Sequence, residues 1–502
     1  MLVEVVLGLL TAYWLWWELV GKRKPYPPGP TPLPFIGNLL SVNYRYPERS
    51  FTAWSRIYGP VFTIWMGPMP MVAITELSLL KKYGGDDFAG RADNYAVQTF
   101  AGGNIGVLNA MGALWKEQRR FALHTLRDLG FGKNAMESRI QTEIRKLFQH
   151  LDQLIAESGA GGVRVDEAVE LAVGNVITSV IFGKNYERDD PEFRDLRTLN
   201  NELLALLTGP TGVFFLICYP WLRFIPVPGR FGYTKMMEIK GRFWSFFRNL
   251  LADCKQRFHP ANPVTDFSAA YLKEMHKRSA AGEDMGFFSE EQLVAIMADF
   301  AMAGMDTTRA TLEWAILYML HYEEVQRKVQ QELDIYMAQV KRPISMNDRL
   351  HLPYTAATIM EIQRLTNVLP INLQHATLRD VEVEGFRIPA HTPILHQISS
   401  VLSSEKAFPQ PHLFDPLRFL DENANRIRKV EEFVPFGVGK RLCGGESLAR
   451  VNLFLVFASL LYHFSFQPLP DKPIPTLLPQ FKFTRSPQLY RCLVSRRISH
   501  SS

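Results

Sequence analysis

The stretch FVPFGVGKRLCGG, residues 433 to 445, constrains what this chain can fold into more than any other. It holds one cysteine, Cys443, among glycines at 437, 439, 444 and 445, with Arg441 two positions earlier and no histidine or acid within it. The residues that follow, GGESLARVNLFLVFASLLYHF (444 to 464), predict a strongly apolar helix. The sulfur is therefore expected at a helix N-terminus, where the dipole favours thiolate. The glycines let the backbone approach a flat ligand and turn N–H groups toward the sulfur. Arg441 is placed to grip a carboxylate on that ligand. A nucleophilic cysteine would need a base, and an inert buried one would need neither glycines nor arginine. A thiolate as the sole protein ligand of a haem iron accounts for all three features.

The rest of the chain sets the frame. In 502 residues, 47 % are hydrophobic and 21 % charged, enough for a large core and without the signature of disorder. The net charge of +6 is scattered, which favours an anionic membrane surface or an acidic partner and argues against nucleic acid. The other cysteines, Cys218, Cys254 and Cys492, are far apart, so neither a zinc site nor a disulfide framework is expected. Residues 1–21, beginning MLVEVVLGLLTAYWLWWELV, predict a transmembrane helix, with Lys22, Arg23 and Lys24 as its cytoplasmic flank. A basic, proline-rich linker (22–38) and a single domain (39–502) follow.

Two hairpins are predicted, at 61–76 around Gly67-Pro68 and at 380–394 with a turn near Gly385. Most of the remainder has helical period, so the fold class is mainly α with a minor β portion. The best-defined helix runs from a capping box at Ser289–Gln292, stapled by Phe288 and Leu293, to about His321. Its centre, AGMDTT (303–308), holds four poor helix formers, and local rules break most often at functional sites.

Phe436, Gly439, Arg441, Cys443 and Gly445 complete the pattern FxxGxRxCxG, by which the chain resembles the cytochrome P-450 monooxygenases, in their animal microsomal branch. The resemblance extends to the anchor and PPGP spacer, WKEQR (115–119), AGMDTT, EIQR (361–364) and DPLRF (415–419). It implies haem b on Cys443, with Trp115, Arg119, His375 and Arg441 toward its propionates. Gln374 stands where the family usually has proline. Glu361, Arg364 and Arg418 become a buried, fold-locking network. Asp306 and Thr307 match the family's acid-alcohol proton relay; the alternative is a threonine that bonds back to the Ala303 carbonyl and bends the helix.

The implied activity is insertion of one oxygen atom from O2 into a small apolar substrate: a lipid, steroid, terpenoid or xenobiotic. Electrons come from NADPH through a reductase carrying FAD and FMN, with cytochrome b5 a further partner; Lys440, Arg428 and Lys429 are docking candidates. The location implied is the endoplasmic reticulum membrane, with the domain facing the cytoplasm. Pocket candidates by position are Phe100, Ile105, Leu206, Phe214, Met302, Ala303, Val368, Leu373 and Phe483, with ordinary core as the competing reading. Ala303 stands apart, one turn from Thr307 on the same face. Asp299, a turn further along, would bond a loop or a polar substrate group. A haem-thiolate peroxide isomerase and a non-catalytic haem sensor are the rival functions.

Overall fold

In the computed structural model, residues 2–43, 45–130, 134–208, 213–480 and 483–497 are described. The long helix forms where its capping pattern places it, over Glu290–His321, and the extended N-cap Ser289 accepts a hydrogen bond from the Gln292 N–H at 3.1 Å. The second half of the expected capping box does not form. The Gln292 amide instead clamps Gly106, donating to its carbonyl at 2.9 Å and accepting from its N–H at 3.0 Å. A tertiary contact has taken over a local one.

This helix runs through the main core, packed against the helices Val165–Ile181, Pro353–Thr366 and Glu446–His463. Gly304 explains part of the odd composition at its centre. A Cβ there would lie 2.7 Å from Ile177 Cδ1, so the glycine sets how closely the Val165–Ile181 helix can approach.

The minor β portion is a five-stranded sheet and two separate two-stranded sheets. Strands β1 (Val61–Met66) and β2 (Met69–Ile74) form the first predicted hairpin, in register from Val61 opposite Ile74 to Met66 opposite Met69. The sheet continues through β7 (Pro393–His396), parallel to β2, then β4 (His375–Ala376) and β3 (Gly90–Arg91). The second predicted hairpin is shorter than expected: β5 (Val381–Val383) pairs with β6 (Phe386–Ile388), and the chain then leaves to supply β7 to the larger sheet. Strands β8 (Phe464–Gln467) and β9 (Leu493–Arg496) close the C-terminal end.

The proline-rich segment lies along β1. Thr63 N–H donates to the Pro28 carbonyl at 3.1 Å, and Asn38 bridges Trp65 N–H to the carbonyls of Pro30 and Thr31. Before it stands an exposed apolar helix, Leu2–Leu19. The expected transmembrane span is corrected here: among the described residues no helix is long and apolar enough to cross a membrane.

Candidate functional site: a cysteine loop ringed by buried arginines

Cys443 sits in the turn that leads into the Glu446–His463 helix, with Gly445 at the N-cap, and its N–H donates to the Phe436 carbonyl at 3.1 Å. Phe436 packs beneath the Arg450 guanidinium, 4.9 Å from the ring centre. Gly439 is required twice over. Its φ is +81°, and a Cβ there would lie 2.4 Å from the Gly84 carbonyl oxygen, which also accepts the Lys440 N–H at 2.9 Å. This glycine therefore docks the loop on residue 84, a role in packing where an approach to a ligand was expected. An added Cβ on Gly437 or Gly445 would meet nothing within 4 Å.

Cys443 itself is exposed. Burial of the surrounding loop raises its thiol pKa, the Gly445 N–H opposes that rise, Glu446 adds to it, and Arg119 and the Glu446 N–H lower it again. The helix N-terminus acts in the expected direction, but burial outweighs it. Thiolate here requires a positive charge stronger than the dipole, which a bound metal supplies by displacing the proton.

Around this loop lie three buried or half-buried arginines that form no ion pair among the described residues. Arg441 donates to the carbonyls of Ala89 (2.9 Å), Val107 (3.3 Å) and Ala110 (2.6 Å), and its guanidinium lies 3.9 Å from the centre of the Trp115 ring. Arg91 donates to Leu108 (2.6 Å) and Gln374 (3.2 Å). Arg119 donates to the Leu442 carbonyl, next to the cysteine. Burial, with Arg91 and Arg119 as like-charged neighbours, pushes Arg441 down to about 8. Burial and Arg119 push Arg91 down to about 10 against the pull of Asp299, and burial lowers Arg119 against the pull of Cys443. His375 meets His396 with ring centres 4.2 Å apart and planes tilted by 45°, and burial, His396, Arg91 and Arg441 hold its pKa well below the usual histidine range. The Trp115 indole N–H is buried without a hydrogen-bond partner.

Uncompensated buried cations beside an orphaned N–H fit a ligand that brings its own carboxylates. The two propionates of haem meet that requirement, and Cys443 meets the iron's. The residues present fit the group. Sequence reasoning missed Arg91, which belongs to no motif and reaches the site only through the pairing of β3 with β4.

Asp299 ties the long helix to the same ring. Its Oδ2 accepts the N–H groups of Val107 (2.7 Å) and Leu108 (2.9 Å), whose carbonyls receive Arg441 and Arg91. Burial raises its pKa to about 6, held back by those two amides and Arg91. Of the two roles expected for Asp299, the contacts are those of a loop anchor.

The expected relay is arranged differently from its simplest form. Asp306 is buried and its Oδ1 accepts from Arg309 at 2.7 Å, while Oδ2 has no partner. Arg309 also meets Glu313 at 2.6 Å. Thr307 donates to the Ala303 carbonyl at 2.7 Å, the geometry of the helix-bending alternative. Ala303 is nonetheless exposed between buried Ala301 and Met305, so this face of the helix stays open.

Glu361 is fully buried and accepts from Arg364 Nε and Nη2 (both 2.7 Å), Arg418 Nε (2.9 Å) and the Asp415 N–H (3.1 Å). The pocket candidates divide. Leu206 belongs to a small core cluster with Leu216 and Met236, and the half-buried Phe100 packs on Phe243 with ring centres 5.5 Å apart. Met302 and Val368 lie half-buried against the main core, and Ile105, Leu373 and Phe483 are half-buried. Phe214 falls on the Val213–Cys218 helix, but its side chain lies outside the described residues.

Comparison with known proteins agrees with this geometry. The sequence profile of the family described as Cytochrome P450 matches residues 27–494. The chain is 38 % identical to cytochrome P450 2D6 of Homo sapiens over 478 residues, covering 94 % of each chain. It is 35 % identical to cytochrome P450 2C8 of Homo sapiens over 459 residues, 91 % of each. With cytochrome P450 2C55 of Rattus norvegicus it shares 35 % identity over 506 residues, 99 % of each. With Cys443 ringed by arginines and the family's profile spanning nearly the whole chain, the protein belongs to the cytochrome P450 family and is a haem-thiolate monooxygenase that draws its electrons from NADPH through a flavoprotein reductase.

Proposed function

We propose that Cys443 holds the haem iron, that Trp115, Arg119, Arg441, His375 and Arg91 hold its propionates, and that a small apolar substrate binds against the open face of the long helix at Ala303. One observation carries this reading: among the described residues the three arginines beside the cysteine loop donate their side-chain hydrogen bonds to carbonyls and pair with no carboxylate, beside a buried indole N–H without an acceptor. When bound, haem supplies dioxygen binding and O–O cleavage, which an electron-rich thiolate promotes. The chain's own work is proton supply, orientation and exclusion of water. Thr307 offers a hydroxyl on the open face, and Asp306, once its carboxylate leaves Arg309, takes a proton from water and passes it on to that hydroxyl. Glu361, Arg364 and Arg418 lock the fold behind the site.

The domain, a single unit from residue 39, works on the cytoplasmic face of the endoplasmic reticulum, attached through the Leu2–Leu19 helix. That helix exposes apolar side chains all round, and a helix of that kind has no stable place in water. Phe35, Ile36, Trp221, Phe224 and Val227 are also exposed, and the Tyr219 hydroxyl joins the two segments through the Phe35 carbonyl. Exposed Lys440, Arg428 and Lys429 are the proposed docking residues for the reductase, and cytochrome b5 is a second electron partner.

The absorption spectrum of the dithionite-reduced protein with carbon monoxide tests the reading. A strongly red-shifted Soret band that is lost in Cys443→Ala supports it. A band in the histidine-ligated position, unchanged by that substitution, overturns it.

A further inference from the structure

We propose that protons for Asp306 enter from the side of the long helix that faces the Val165–Ile181 helix, with Glu170 taking them from solvent and Glu313 holding one in store. The inference rests on the proton-supply role given to Asp306 above. Asp306, Arg309 and Glu313 form one stripe of the long helix. Ala303 and Thr307 lie roughly 100° around it, on the face given to the substrate. An apolar substrate there excludes water from the Thr307 side, so the acid has to be served from its other side.

That side leads outward. Glu170 lies within electrostatic reach of both Asp306 and Arg309. The side chains of Asp306 and Glu313 are 5 % and 4 % exposed, that of Glu170 is 17 % exposed, and that of Arg197, 3.3 Å from Glu170 on the Pro191–Thr208 helix, is 43 % exposed. At the inner end, Asp306 Oδ2 is buried without a partner among the described residues. A bare carboxylate oxygen in the interior calls for a donor, and a water held between it and Glu170 supplies one.

The charges along this line do not balance. Arg164 is taken by Asp166 and Glu167, which leaves Asp306, Glu313 and Glu170 to share Arg309 and Arg197, three carboxylates against two guanidiniums. The surplus favours one retained proton. Burial, with Asp166 and Glu170 as like-charged neighbours, raises Glu313 to about 7 against the pull of Arg309. Burial also raises Glu170, against Arg309 and Arg197. Tyr490 closes the inner end, its hydroxyl donating to the Glu313 backbone carbonyl at 2.8 Å. In each cycle a solvent proton binds the Glu170 carboxylate, the interior water accepts it while giving another to Asp306, and Glu170 is left ionised as before.

Glu170 and Glu313 act through Asp306, so the test starts away from turnover. Infrared spectra of the full chain with haem bound, at pH 6, should show the carbonyl band of a buried protonated carboxyl that is missing in Glu313→Gln. On transfer to D2O that band moves to its deuterated position; Glu170→Gln should slow the move severalfold, and Glu170→Asp should restore it. In turnover, Glu170→Gln should lower product per NADPH by about tenfold, less than the loss of the acid itself. Arg197→Ala, which breaks the ion pair but keeps the carboxylate, should leave exchange and product at wild-type levels. The route is overturned by a wild-type spectrum without the band, by wild-type exchange or wild-type product in Glu170→Gln, or by equal losses in Arg197→Ala, which would make the pair structural. Wild-type product in Asp306→Asn would instead overturn the relay itself, and the route with it.

Discussion

Arg309 Nη2 lies 2.7 Å from Asp306 Oδ1, three residues apart on one helix and both buried from solvent by the Val165–Ile181 helix and its neighbours. The same guanidinium holds Glu313 at 2.6 Å, so Asp306 can leave without stranding Arg309 unpaired. Asp306 is thereby held away from Thr307, and its transfer of a proton requires a change of rotamer.

Asp306→Asn should therefore leave the reduced carbon monoxide spectrum intact and lower product formation by about a hundredfold or more, the scale of a lost general acid. NADPH consumption and product are measured together. A product rate equal to wild type would make Asp306 only the structural half of an ion pair.

Thr307 presents the second expectation. Its hydroxyl donates to Ala303 at 2.7 Å, a bond that Thr307→Ser keeps and Thr307→Ala removes. Thr307→Ala should divert NADPH electrons from product to hydrogen peroxide, and Thr307→Ser should restore most of the coupling. If peroxide and product stay at wild-type proportions in Thr307→Ala, the hydroxyl serves helix geometry alone.

Glu361 is the common acceptor of two arginines and one backbone amide in a site without solvent. Removal of that carboxylate in Glu361→Ala leaves two buried cations with carbonyl partners only, at a cost of about 3 to 5 kcal/mol. The expected result is a large fall in the denaturant midpoint and little retained haem. Arg418→Ala should cost less, because Arg364 still pairs bidentately with Glu361. Equal losses in the two variants would contradict this ranking.

What the sequence revealed and what it hid divide along contact range. The cysteine loop, the Ser289 cap, the first hairpin and the Glu361–Arg364 pair are each written within one short stretch of the chain, and each has a local pattern with a physical reason. Arg91 joins the site through strand pairing with residues 375 and 376, and Gly439 meets Gly84 across 355 positions, neither of which any local spacing announces. Arg309 was visible three residues from Asp306, but side-chain spacing alone does not say whether a pair faces water or core. Gln292 carried a capping pattern whose side chain was recruited by Gly106 instead. The transmembrane expectation rested on the apolar run, with its acids and tryptophans placed at the two faces of a bilayer, and among the described residues no helix is long and apolar enough to bear it out.

The last expectation concerns acid. His396 is buried at the end of β7, and burial, against a bond donated to the Tyr83 backbone and with Arg91 adding to the fall, lowers its pKa from 6.5 to about 4. His375, in contact with it, is lowered in the same direction. A histidine depressed in the folded state binds its proton more readily when unfolded, so the unfolded chain takes up more protons between these two values. Stability from this source is complete above pH 6.5 and is lost as pH falls toward 4, by about 3 kcal/mol for His396. Urea midpoints at pH 7 and pH 5 should differ accordingly, and His396→Gln, which has no proton to gain, should show a smaller difference. An unchanged pH dependence in His396→Gln would mean that this histidine titrates alike in the folded and unfolded chains and that another group sets the acid limit.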